Sequence, residues 1–174
     1  MEAPKIRKIE LAEIDQLQKT GRDTFYETFA GYNSEENMKD YLDDKFAFDK
    51  VSAELSNSAS EFYFAHLDDK ILGYLKVNFA GTQTELNDKN SLEIERIYVL
   101  KEFQGLKVGQ LLYNRALQIA KDAGLDYIWL GVWEENVKAL QFYKKNGFVE
   151  FDKHIFKLGN EEQTDLLMKF TLKL

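Results

Sequence analysis

The sequence predicts a single mixed α/β domain, and three observations carry that expectation. Between Leu92 and Phe148, strand patterns alternate with amphipathic helix patterns, which places two parallel strands across a helical crossover. Residues 61–79 read as a hairpin, and the first sixty residues are mostly helical in period. At 174 residues, with no repeat, linker or low-complexity stretch, the chain fits one domain with a real core.

Lys5 to Glu10 reads as a short first strand. Ala12 to Phe29 carries Ile14, Leu17, Phe25, Tyr26 and Phe29 near helical spacing, and Gly31 stops it. Asn33 or Ser34 caps a second helix through Tyr41 and Leu42, and residues 46–55 hold a third helical piece. Phe62-Tyr63-Phe64-Ala65 forms a strand, Asp68-Asp69 a turn, and residues 70–79 the returning strand. Residues 81–90 are polar and are expected to be a mobile loop. Leu92 to Leu100 is the next strand. A helix from Gly109 to Ala123 puts Leu111, Leu112, Ala116, Ile119 and Ala120 on one face and ends at Gly124. Asp126 to Trp133 is a buried strand, Asn136 to Lys145 a helix, and residues 148–156 and 165–172 the last strands.

Composition removes several function classes. There are no cysteines, so disulfides, thiolate metal sites and a cysteine nucleophile are excluded. The first eight residues have no apolar run of the signal-peptide type, and no segment approaches a membrane span, so a cytoplasmic address is expected. Lys and Arg number 23 against 30 Asp and Glu, a net charge of -7, which offers no basic face for nucleic acid and favours cationic ligands. The 13 Phe and 9 Tyr suggest aromatic pocket walls as well as a core, with core packing accounting for most of them. No metal site is expected; the protein is expected to be a monomer or homodimer.

The chemistry concentrates in residues 92–148. The turn Gln104-Gly105-Leu106-Lys107-Val108-Gly109-Gln110 opens a helix whose free N–H groups and dipole suit a phosphate. In the strand before it, Leu92 and Ile94 are in one phase and Ile97 and Val99 in the other. Such a change of phase implies a bulge near Glu95-Arg96. A bulge there splays the strand from its neighbour and frees backbone groups for an extended amide ligand. Asn136 and Tyr143, two helical turns apart, share a face. Taken singly, Asn136 reads as an N-cap and Tyr143 as a core-edge aromatic. Few chemistries use all these parts together, and acyl transfer from coenzyme A leads them.

Gln104-x-x-Lys107-x-Gly109 and Asn136-x-x-Ala139-x-x-Phe142-Tyr143-x-x-x-Gly147-Phe148 resemble the two cofactor motifs of the Gcn5-related N-acetyltransferases (GNAT). Leu92-Glu93-Ile94-Glu95-Arg96-Ile97-Tyr98, Trp129-Leu130-Gly131-Val132-Trp133-Glu134 and Gly159-x-Glu161-Glu162-Gln163-Thr164-Asp165-Leu166 are similar to its bacterial PaiA-type branch, which is associated with acetylating spermidine and spermine. The resemblance implies a central, mostly antiparallel sheet, splayed at one parallel pair and flanked by helices. It implies acetyl-CoA as co-substrate, held at the pyrophosphate by backbone amides of Leu106, Lys107, Val108, Gly109 and Gln110. It implies pantetheine pairing with backbone groups of Ile97, Tyr98 and Val99 and with Asn136, and Tyr143 as the acid that protonates the thiolate. Lys107 stands where the family usually has glycine, which means either backbone strain or an ammonium reaching a phosphate.

Glu93 and Glu95 are the candidate bases or amine anchors; the plainer alternative is pairing with Arg96 or a lysine. His66 and His154 read as structural or exposed. Acceptor recognition is expected from the first helices, with Phe25, Tyr26, Phe29 and Tyr32 as aromatic surface and Glu27, Glu35 and Glu36 as charge, together with Trp133 and the loop 81–90. The expected activity is N-acetylation of a small amine, a polyamine first. Two rivals are acetylation of a protein N-terminus or lysine, and an acetyl-CoA-binding regulator without turnover.

Overall fold

In a computed structural model, which describes residues 2–173, seven strands form one sheet in the order β1-β2-β3-β4-β5-β7-β6. The strands are β1 Lys5–Lys8, β2 Ser60–Leu67, β3 Lys70–Asn78, β4 Ser91–Val99, β5 Tyr127–Trp133, β6 Val149–Leu158 and β7 Glu161–Thr171. Every neighbouring pair is antiparallel except β4 and β5, which are parallel across the crossover helix α4, Val108–Asp122. The remaining helices are α1 Ile14–Phe29, α2 Glu35–Lys45, α3 Phe48–Ser56 and α5 Val137–Lys145.

The helices divide between two faces. Val108, Leu112, Ala116 and Ala120 of α4 pack with Tyr143 of α5 on Leu75, Leu92, Ile128 and Leu130. On the other face Leu17, Phe25 and Phe29 of α1, Met38 and Leu42 of α2 and Val51 of α3 bury Phe62, Phe64 and Tyr74. Each helix thus lays one apolar stripe on the sheet, as its period requires. Gly21 lets α1 sit close, because a Cβ there would lie 2.6 Å from the Phe46 ring. Ser34 caps α2 by accepting from Asn37 N at 3.1 Å. The last two strands are longer than their apolar runs suggested, and β7 starts at Glu161.

The segment 81–90 departs from the mobile loop expected of its polar composition. Gln83 Nε2 donates to Asn78 O and Ser91 O, and Gln83 Oε1 accepts from Trp129 Nε1 at 3.2 Å. Thr84 is tied to Glu93 through both its N–H and its hydroxyl. Polar residues here hold the segment down rather than solvate it.

Candidate active site

Strands β4 and β5 pair only from Ser91–Tyr127 to Ile94–Leu130. Beyond that point they no longer pair with each other, although β4 continues to Val99 against β3 and β5 to Trp133 against β7. The cause is the expected bulge: Arg96 stands opposite Lys76 and Ile94 opposite Val77, so Glu95 has no partner in β3. The strands therefore part after Ile94 and Leu130, at the bulge. A cleft of about 990 Å³ opens there, between the two helical layers. Leu100 N donates to Leu72 O, so by strand alternation Tyr98 also spends its backbone groups on β3. Ile97 and Val99 turn theirs toward the gap; of the three pantetheine contacts expected, Tyr98 is the one the ladder takes away.

Beyond β4, Gly105 (φ 87°) and Lys107 (φ 62°) turn the chain into α4. Lys107 thus takes the left-handed conformation, which settles its question in favour of strain. The first α4 bond runs from Leu111 N to Lys107 O at 3.3 Å, and Lys107 supplies no side-chain cap. The N–H groups of Val108, Gly109 and Gln110 are consequently open to an anion at the positive end of the helix. Gln104 Nε2 secures the turn on Val99 O at 3.2 Å. The Leu106 side chain is exposed, so this residue can contribute only its backbone. Lys107, Lys138 and Lys145 line the same end of the cleft. An open helix start with nearby cations, followed by free strand backbone, fits a pyrophosphate joined to an extended amide chain, the arrangement coenzyme A requires.

Asn136 caps α5, its Oδ1 accepting from Ala139 N at 3.2 Å, and it also lines the cleft. Tyr143 lines the cleft from α5 while only 7% exposed. Burial pushes its phenol well above the usual tyrosine range, and nearby Tyr98 adds to that. The phenol is therefore protonated at neutral pH.

The carboxylates in the cleft divide sharply. Glu93 is buried and accepts from Asn78 Nδ2, Thr84 N and Thr84 Oγ1; burial raises its carboxyl against those bonds. Glu95 sits in a network with Lys76, Arg96 and Glu54. Its Oε1 takes Lys76 Nζ and Asn78 Nδ2, both at 2.9 Å, and its Oε2 lies 3.1 Å from Arg96 Nη2. Burial would raise it, yet Arg96 and Lys76 outweigh burial and hold it below the usual carboxylate range. Pairing with Arg96 was the plainer reading, and the structure has it. Glu85 is joined to His154 Nδ1, and both residues line the cleft.

Asp165 is the exception. Among the described residues it has no hydrogen-bond or ion-pair partner; burial pushes its carboxyl up to about 6, with His154 opposing. On β7 it stands opposite both Trp133 and His154. Gly131 leaves it uncovered, since a Cβ there would stand 3.7 Å from Asp165 Oδ2. An accessible carboxylate titrating near neutrality is what proton removal from an amine calls for. In the sequence Asp165 stands only within the PaiA-like segment 159–166 and at the start of the last strand, with no role attached to it. One signal was present: a lone Asp directly before the buried run Leu166-Leu167-Met168.

Of the expected acceptor residues, Phe25, Phe29 and Trp133 line the cleft, joined by Tyr41 and Phe156. Phe25 stacks on Tyr41 at 4.5 Å, and Tyr32 meets Trp133 edge-on at 4.7 Å outside the main cleft. Tyr26 and Glu36 do not reach it. Tyr26 is 48% exposed on α1, and Glu36 is exposed in the first turn of α2, because their helices turn other faces to the sheet.

This fold and site define the class. The profile of the Acetyltransferase (GNAT) family matches residues 20–148, and the chain belongs to that family. It is an N-acetyltransferase that uses acetyl-CoA. It is 37% identical, over 99% of both chains, to an N-acetyltransferase from the pepI 3′ region of Lactobacillus delbrueckii subsp. lactis. It is 28% identical, over 94% of both chains, to the spermidine N(1)-acetyltransferase of Thermoplasma acidophilum. The crystal structure of the PaiA N-acetyltransferase of that organism with coenzyme A superposes with a TM-score of 0.81 at 26% identity, covering 98% of this chain and 99% of the other. Among the described residues, no helix is long and apolar enough to cross a membrane.

Proposed function

We propose that this acetyltransferase acts on polyamines of the spermidine and spermine type. The observation that carries the reading is the acceptor side of the cleft. There Phe25, Phe29, Tyr41, Trp133 and Phe156 line the same cleft as Asp165, which has no partner among the described residues. Apolar rings suit methylene chains and a free carboxylate suits an ammonium. The likeness to the spermidine acetyltransferase over nearly the whole chain supports the same reading.

Acetyl-CoA supplies an activated thioester; this chain supplies placement and protons. The N–H groups of Val108, Gly109 and Gln110 bind the pyrophosphate end. The backbone of Ile97 and Val99 and the Asn136 side chain orient the arm that follows. Asp165 binds the acceptor ammonium and takes its proton, leaving a neutral amine able to attack. The Val99 N–H, turned to the gap, is placed for the charge that develops on the acetyl oxygen. Tyr143 Oη gives its proton to the departing sulfur. Glu93 and Glu95 fix the loop 81–90 and the bulge. Two reactants held in one cleft supply much of the acceleration.

The test is thiol release with spermidine, spermine and n-butylamine under one set of conditions. The polyamines are expected to give the higher kcat/KM. A preparation that acetylates butylamine and neither polyamine refutes the assignment.

A further inference from the structure

A second hollow of about 270 Å³ opens on the far side of Trp133 from the main cleft. Its walls include Tyr32, Trp133, Glu134, Glu135, Glu161 and Gln163. Glu162 also borders it, but lies 3.8 Å from Lys157 Nζ. The hollow sits where β5 runs out and β7 begins, and Glu134 N donating to Thr164 O closes its floor.

One buried group there lacks a partner. Gln163 is 8% exposed, and its Oε1 is shielded from solvent with no donor. A buried carbonyl oxygen in that state calls for a donor. The surroundings specify which kind: several carboxylates and the faces of two aromatic rings, with no cationic side chain in the wall. Among the described residues no three acids stand close enough to hold a metal ion, so the charges are spread out rather than focused on a point.

The spacing links this hollow to the reaction centre. Asp165, Gln163 and Glu161 alternate along β7 and share one face, with about 7 Å between successive members. Short polymethylene links between nitrogens span such steps. Trp133 walls both the cleft and the hollow. We propose that the hollow is a second ammonium site, and that a polyamine binds extended over Trp133, its reacting nitrogen at Asp165 and its distal cation among Glu134, Glu135, Glu161 and Gln163. The inference rests on the polyamine reading and adds a specificity site to it. No covalent step occurs there; the site acts through binding.

The test is the triple variant Glu134→Gln/Glu135→Gln/Glu161→Gln. All three side chains are exposed, so the fold should survive. A control with equal loss of charge is Asp49→Asn/Asp69→Asn/Asp122→Asn, on exposed residues elsewhere. In the first variant KM for spermine should rise about tenfold while kcat, and kcat/KM for butylamine, stay within about twofold. The control should keep the wild-type preference. If the wild type prefers spermine and the first variant retains that preference in full, the second site is refuted and the polyamine reading stands. An equal loss in the control also refutes it, since net charge would then be the cause. If the wild type itself has no preference for polyamines, both fall.

Discussion

Tyr143 and Asp165 line one cleft, and burial raises the proton affinity of both, with opposite consequences. The phenol stays protonated and can serve as an acid. The carboxyl, lifted from 3.8 to about 6, is still ionised at neutral pH and can serve as a base. Tyr143→Phe is expected to lower kcat by about 10²–10⁴-fold with little change in acetyl-CoA affinity, measured by steady-state kinetics beside equilibrium binding. Asp165→Asn should lower kcat/KM and flatten the acid limb expected of the wild type near pH 6. The same substitution has a stability signature. Between about pH 4 and 6 the unfolded chain ionises Asp165 while the folded chain, its carboxyl pushed up to about 6, keeps the proton. Stability is therefore lost as pH rises, and Asp165→Asn should melt with the wild type in acid but above it at pH 8. That Tyr143 and Asn136 line the cleft together was legible in the sequence, because one helix fixes their spacing. Asp165 was not, because its role depends on Trp133 and His154, which lie on two other strands and meet it only through sheet register.

The bulge in β4 and the start of α4 are the elements that make the site. The bulge was readable because a change of apolar phase within one strand is a local signal, and Glu95 is the residue left over. How early the strands part was not readable, since that depends on where pairing to β5 stops. The loop 81–90 was misread for a related reason: the partners of Gln83 and Thr84 lie on β3, β4 and β5. At the helix start, Lys107 occupies a left-handed conformation that glycine adopts without strain. Lys107→Gly is expected to raise the stability of the ligand-free protein by about 0.5–1 kcal/mol, measured by denaturant unfolding. An unchanged midpoint would mean that a contact of the lysine side chain offsets the strain.

At the scale of the molecule, the proposed anion and cation sites fall on different elements. Lys107, Lys138 and Lys145 gather at the α4 end, while Asp165 and the glutamates beside Trp133 lie along β5 and β7. The net charge of -7 was visible in the sequence, but its concentration near Trp133 was not, because Glu134 follows β5 and Glu161 opens β7, and the two meet only in the folded sheet. The central claim is that the acceptor is held as a polycation against these carboxylates. The dependence of kcat/KM on ionic strength, measured for spermine and for butylamine, tests it most directly. Attraction between a polycation and an acidic site is screened by salt more strongly than that of a single ammonium. The account predicts a steeper fall for spermine; equal slopes for the two amines would contradict it.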